Sequence, residues 1–378
     1  VTAYLDYNAT APLIPEARAA LLRYLDEEVG NAGSRTHMYG LNAKQAVEAS
    51  RKAIARLVAA EPEEIVFTSG ATEANNIALL GLQDHAHETG RRHIVSTTIE
   101  HKAILEPLDH LQRRGFDVTL VPVGSSGWVD PASIAAALRA DTVLVSVMQA
   151  NNETGVLQPV DEIAERLANH AAYFHVDAAQ GFGKTADGLQ SPRIDLISLS
   201  AHKLFAPRGV GALVARRRGY ERPPLRSLMF GGGQERGLRP GTLPVPLIAA
   251  FGAAAERALH DGAAWRARCE EIRLDALTAF ADLNYTLIGD QDAVMPHVLS
   301  IAFEGVDSEA LMLALKDLAA FSNGSACTSA AYSPSHVLAA MGVPDHQIGE
   351  VVRLSWSHMS TDIPWTDMAR RIADLQPS

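Results

Sequence analysis

Cysteine is nearly absent from this chain: Cys269 and Cys327 are its two thiols in 378 residues. Two cysteines build no disulfide framework, and sparse thiols suit a reducing compartment. Long apolar runs are also missing; none approaches the roughly 20 residues of a membrane-spanning helix. The N-terminal Val1-Thr-Ala-Tyr-Leu-Asp-Tyr7 lacks the basic-then-apolar pattern of a signal peptide. The expectation is a soluble, cytoplasmic protein with no membrane partner. The net charge of −11 is spread without long runs of one sign, which argues against direct nucleic-acid binding. Arg216-Arg-Arg218 is short and reads as a solvated turn. The fourteen histidines show no His-x-x-x-His spacing, and no Cys-x-x-Cys occurs, so no metal site is expected.

What is present is an apolar content of 47%, enough for a sizeable core at a length that suits two domains. Helical spacing covers 15–28 and 42–60. From residue 65 onward, apolar β-prone runs alternate with helical patterns: strands at 65–68, 94–98, 118–121, 143–148, 173–176, 194–198 and 211–215. The fold class expected is α/β, a mostly parallel sheet wrapped by helices. Helices at 246–259 and 263–281 follow. Shorter elements then suggest a smaller α+β domain: strands at 298–303 and 350–355, helices at 308–319 and 365–375. The expected division is a large domain, 13–257, and a small one from 1–12 and 258–378.

In parallel sheets ligands bind at the carboxyl ends of strands. Thr72, His101, Asn152, Asp177, Gln180, Ser200, His202 and Lys203 all fall there. Thr68-Ser-Gly-Ala-Thr72 runs from a strand into a helix, whose first turn offers free N–H groups to a phosphate; plain capping by Thr72 is the other reading. Lys203 sits between two strands, where an amine can lose its proton and form a Schiff base; a loop lysine with a solvated head is the alternative. Jointly these groups suit a pyridine aldehyde bearing one phosphate. Lys203 would bond its aldehyde and Asp177 would keep the ring nitrogen protonated. His101 would cover the ring, and Gln180 would reach the phenolic oxygen. Ala71, Thr72, Ser200 and His202 would hold the phosphate.

Cys269 lies in a charged helical pattern and reads as a helix filler. Cys327 lies in Ser322-Asn-Gly-Ser-Ala-Cys-Thr-Ser-Ala-Ala331, small and polar. It is either a mobile nucleophile or a chance surface thiol.

The motifs Thr68-Ser-Gly-Ala-Thr-Glu73, Asn151-Asn-Glu-Thr-Gly155, Val176-Asp-Ala-Ala-Gln180, Ser200-Ala-His-Lys203 and Gly231-Gly-Gly-Gln-Glu-Arg-Gly237 recur together. With them the chain resembles the cysteine desulfurases, pyridoxal-phosphate enzymes of aminotransferase class V, from Tyr4-Leu-Asp-Tyr-Asn-Ala-Thr10 to Arg353-Leu-Ser355. Ser325-Ala-Cys-Thr-Ser329 is similar to the catalytic loop of the NifS and IscS group; the Arg-x-Gly-His-His-Cys loop of the other group is absent.

The resemblance implies a fold-type I homodimer with pyridoxal 5'-phosphate at the subunit interface. It implies that Lys203 carries the cofactor and moves protons, and that Thr242 reaches the phosphate from the partner subunit. Asn152 and Arg353 would bind L-cysteine, Arg353 by its carboxylate. Cys327 would take the sulfur as a persulfide, leave alanine, and pass sulfur to an acceptor protein. That sulfur would serve iron–sulfur clusters, tRNA thiolation or DNA phosphorothioate modification. Two departures stand out. Trp356-Ser-His-Met359 follows where the family commonly has Gly-Arg, which bears on the local turn and not on Arg353. Relatives serving iron–sulfur scaffolds carry a longer tail after the arginine, which here favours a dedicated acceptor. Two alternatives stay open: a class V aminotransferase acting on serine or alanine, and a non-catalytic α/β binding protein.

Overall fold

The computed structural model describes residues 2–185, 188–323 and 334–377. Its strands are β1 (Ala3–Tyr4), β2 (Ile65–Thr68), β3 (His93–Thr97), β4 (Asp117–Val121), β5 (Thr142–Met148), β6 (Tyr173–Asp177), β7 (Leu196–Ser200), β8 (Gly211–Ala215), β9 (Tyr285–Leu287), β10 (Val298–Phe303), β11 (Ala319–Ala320) and β12 (Val351–Ser355). Seven form the central sheet, in the order β2-β8-β7-β6-β5-β3-β4. From β7 to β4 every pairing is parallel, whereas β8 runs antiparallel to both β7 and β2. β5 and β7 are buried at every position. That continuous burial is what a sheet covered by helices on both faces demands, and the α/β expectation holds.

A three-stranded antiparallel sheet, β12-β10-β9, and the parallel pair β1–β11 lie apart from it. They carry a second core that includes Leu5, Phe280, Ile301, Phe303 and Trp365. Trp356 belongs to that core. Its ring is fully buried and its indole N–H donates to the Cys269 carbonyl at 3.0 Å. Two residues on, His358 stacks on Trp265 with centroids 4.3 Å apart. The unusual segment after Arg353 therefore fills space between elements. Cys269 is buried in its helix, as expected, and burial pushes its thiol up to about 12, which keeps it unreactive.

The sequence suggested two helices after residue 245, and the structure has one, Val245–Ala279. Gly262 does not break it, because the helix is held on both sides of the glycine. Arg257 pairs with Asp261 four residues on. Phe251 and Ala254 lock one half into the large core, and Ile272 and Ala276 lock the other into the small one. The expected division at 257/258 falls within this helix. A second correction concerns Arg216, expected to be solvated: it is 5% exposed and donates to the Leu189 carbonyl at 2.6 Å. Its guanidinium satisfies loop carbonyls that no secondary structure reaches. Arg218 likewise pairs with buried Asp195 at 2.6 Å. Elsewhere boundaries shift: a helix spans Met38–Leu57, starting early because the Gly40 N–H donates to the His37 ring at 3.1 Å. No helix among the described residues is long and apolar enough to cross a membrane.

Gly211 opens β8 against the Gly70 turn. A Cβ there would lie 2.4 Å from the Leu199 carbonyl oxygen and 2.6 Å from the Gly70 Cα. Gly211→Ala should therefore destabilise the fold by about 1–3 kcal/mol, read as a lower thermal midpoint. An unchanged midpoint would mean that strand and turn can separate freely.

Candidate active site

Each expected site residue arrives by its own local logic. β7 ends at Ser200, and the tight turn Ala201–Lys203 leads into β8, so Lys203 is held between two paired strands. Its amine donates to the carbonyls of Asn8 and Ala9, the latter at 2.8 Å. Asp177 is the last residue of β6 and is buried. One carboxylate oxygen accepts from Asn75 Nδ2 at 2.7 Å and the other from the Ala179 N–H at 2.9 Å. His101 follows β3 and caps the helix Lys102–Gln112; the Ala103 N–H donates to its Nδ1 at 3.0 Å. Burial lowers the His101 pKa, against the pull of Asp177. The ring is thus neutral, with its proton on Nε2.

These groups converge on one cavity of about 370 Å³. Ala71, Thr72, Asn152, Gln180, Ser200, His202 and Arg353 also line it. At one end of it, Gly70 is the N-cap of helix Ala71–Leu80, with φ +157° and ψ 178° and no side chain to occupy the first-turn N–H groups. Burial, with Lys203 and Arg208 nearby, pushes His202 down to about 4. It therefore meets an anion as a neutral donor. Gln180 Nε2 donates to the Asn8 carbonyl at 3.0 Å, and its second hydrogen remains for a phenolic oxygen. Arg353 is 2% exposed; its Nη1 donates to the Asn152 carbonyl and its Nη2 to Asp6, both at 2.8 Å, while Nε has no partner among the described residues. A buried guanidinium with spare donors is suited to a carboxylate.

Thr242 lines a separate cavity with Gln234, Glu235 and Arg51. Cys327 lies outside the described residues. Several residues went unrecognised in the sequence. Asn8 and Asp6 act through a segment that carried no assigned role. Asn75 orients Asp177; its spacing, one turn after Ala71 and Thr72, was the available signal. Glu100 is fully buried, and burial raises its carboxyl to about 8. It is therefore mostly protonated at ordinary pH.

A lysine amine, an isolated buried carboxylate and an uncapped helix terminus fit the aldehyde, ring nitrogen and phosphate of pyridoxal phosphate. The aminotransferase class-V family model matches residues 3–362. This chain belongs to that family. Its members depend on pyridoxal phosphate. This class-V chain is 45% identical to cysteine desulfurase IscS of Anaeromyxobacter sp. (strain Fw109-5) over 362 residues, 95% of this chain and 88% of the relative. The crystal structure of DndA from Streptomyces lividans is 48% identical, with TM-score 0.82, covering 94% of this chain and 99% of that one. SspA in complex with cysteine is 31% identical, with TM-score 0.84, over 95% of this chain and all of the other (100%).

Proposed function

We propose that this protein is a cysteine desulfurase that, with pyridoxal phosphate, converts L-cysteine to L-alanine and leaves the sulfur as a persulfide on Cys327. The carrying observation is the convergence of Lys203, Asp177, His101 and Arg353 on one cavity beside an uncapped helix terminus. When bound, pyridoxal phosphate supplies an electron sink for the charge left when the cysteine Cα proton is removed. Lys203 would hold the cofactor by its aldehyde and would move that proton. Asp177, fixed by Asn75 and Ala179, would keep a proton on the ring nitrogen. His101 would cover the ring, and Gln180 would donate to the phenolic oxygen. Ala71, Thr72, Ser200 and His202 would hold the phosphate. Arg353 and Asn152 orient the amino acid by its carboxylate. The Cys327 thiolate attacks the substrate sulfur; the carbon–sulfur bond breaks, its electron pair stays with carbon, and carbon is then protonated to give alanine.

Cys327→Ser is the direct test. A hydroxyl cannot take up sulfur as a persulfide, so persulfide and sulfide formation should fall by roughly 10³-fold or more, measured with labelled cysteine. The yellow colour of the bound cofactor should persist. A retained desulfurase rate would reject Cys327 as the acceptor.

The working unit in this reading is a homodimer. Thr242 lies outside the cavity of its own chain, which supports its reaching the phosphate in the partner subunit. The 97% exposure of Phe230, in the same Gly-rich segment, supports a covered surface there. The persulfide passes to an acceptor protein serving iron–sulfur clusters, tRNA thiolation or DNA phosphorothioate modification. The sparse thiols of the chain support a cytoplasmic setting.

A further inference from the structure

The segment Asp6–Thr10 touches nearly every group that would handle the amino acid, although none of its side chains was assigned a part. Asp6 bridges to Ser355 at the end of β12, and the Tyr7 N–H donates to the Ser355 carbonyl at 3.3 Å. The Asn8 N–H donates to Ser355 Oγ at 3.0 Å. Tyr4 OH lies 3.0 Å from the carbonyls of both Asp6 and Thr10, which share its one hydrogen. The segment is thereby pinned to the strand that bears Arg353. From that fixed place Asp6 Oδ1 accepts from Arg353 Nη2 at 2.8 Å. Two and three residues later, the carbonyls of Asn8 and Ala9 accept from the Lys203 amine. Asn8 Nδ2 donates to the Asn152 carbonyl at 3.1 Å, the same carbonyl that accepts from Arg353 Nη1. Thr10 Oγ1 lies 3.2 Å from His202 Nδ1.

We infer that Asp6 is a positioning residue for the substrate carboxylate: it fixes the Arg353 guanidinium relative to Lys203, so that one amino acid spans both. This inference rests on the reading that Arg353 takes that carboxylate. The donor inventory is consistent. A guanidinium has five N–H hydrogens. Asp6 and the Asn152 carbonyl each take one, and Arg353 lines the cavity with further N–H hydrogens to offer. Asp6 does more than orient the group. Arg353 is nearly fully buried, and an uncompensated cation there would be costly before substrate arrives. Asp6 supplies the compensating charge from one side and leaves donors for a second carboxylate. Both anchors of the substrate, the guanidinium and the amine, are thus referenced to one short piece of backbone. A shift of either would break the spacing between carboxylate and Cα.

The test is ligand binding to the cofactor-loaded protein, followed by the absorbance change of the bound cofactor. Two amines are compared: L-alanine, which carries the carboxylate, and cysteamine, which lacks it. Asp6→Ala should raise the Kd for L-alanine about tenfold, the loss of roughly one charge-assisted contact, and leave the Kd for cysteamine within about twofold. Asp6→Asn, which keeps an acceptor oxygen, should bring the L-alanine Kd to within about threefold of the original. Arg353→Ala is measured alongside. If it does not weaken L-alanine, the reading of Arg353 as the carboxylate group fails. If it does, but Asp6→Ala leaves L-alanine untouched or weakens both ligands equally, the positioning role of Asp6 is overturned and the segment is a general brace. Should Asp6→Ala fail to fold, Asp6→Ser, whose hydroxyl is too short to reach the guanidinium, carries the same expectations.

Discussion

Lys203→Ala should yield a colourless protein with essentially no desulfurase activity. Two roles disappear together, covalent attachment of the cofactor and proton transfer at Cα, so the rate should fall by roughly 10⁴-fold or more. The geometry leaves no stand-in. Lys203 is the lysine that lines the cavity among the described residues. Lys184 is the nearest competitor in character: burial, helped by the charge of Lys203, lowers its amine to about 7. It lies instead beside His297 at 3.4 Å, in a separate space with Trp265 and Cys269. The measurements are visible absorbance after incubation with pyridoxal phosphate and alanine formation from cysteine. Unchanged colour would assign the cofactor to another amine, and circular dichroism would confirm that the variant is folded.

Asp177→Asn should cut alanine formation by roughly 10²–10³-fold, the loss typical of one preorganised electrostatic contact to developing charge. The amide matches the carboxylate in shape: its oxygen can accept from the Ala179 N–H, and its NH2 can donate to Asn75 once that amide turns its oxygen inward. What it cannot supply is the negative charge that holds a proton on the ring nitrogen. The cofactor should still bind, through Lys203 and the phosphate turn, so colour persists while turnover falls. A loss of less than about threefold would mean that Asp177 does not face the ring nitrogen.

The sequence was most legible where one local signal sufficed. β2 and β8 fall at the residues expected, because short apolar runs bounded by Gly70 and Gly211 leave little freedom. β7 lies two residues later than expected, since burial continues through Ser200 where the sequence turns polar. The helix Val245–Ala279 was misread because Gly262 counts as a breaker only when neither side is anchored. In the site, Lys203, Asp177 and the Gly70 turn were visible because residue type alone marks an amine, a carboxylate and an uncapped turn. Asn8 was not, because its main contribution is a carbonyl, and backbone acceptors have no signature in residue type. Asp6 was not, because its partner is encoded far away. The thiol of Cys327 remains a matter of motif and chemistry.

The ion pair between Asp6 and Arg353 joins residues 347 positions apart. During synthesis the first of them leaves the ribosome long before the second exists. The floor of the cavity therefore cannot close until Arg353 has been made, and contacts of such high sequence separation are among the last to form. A nascent chain stalled before β12 would therefore carry the Asn8 and Ala9 carbonyls that meet Lys203, but not the strand that pins them in place.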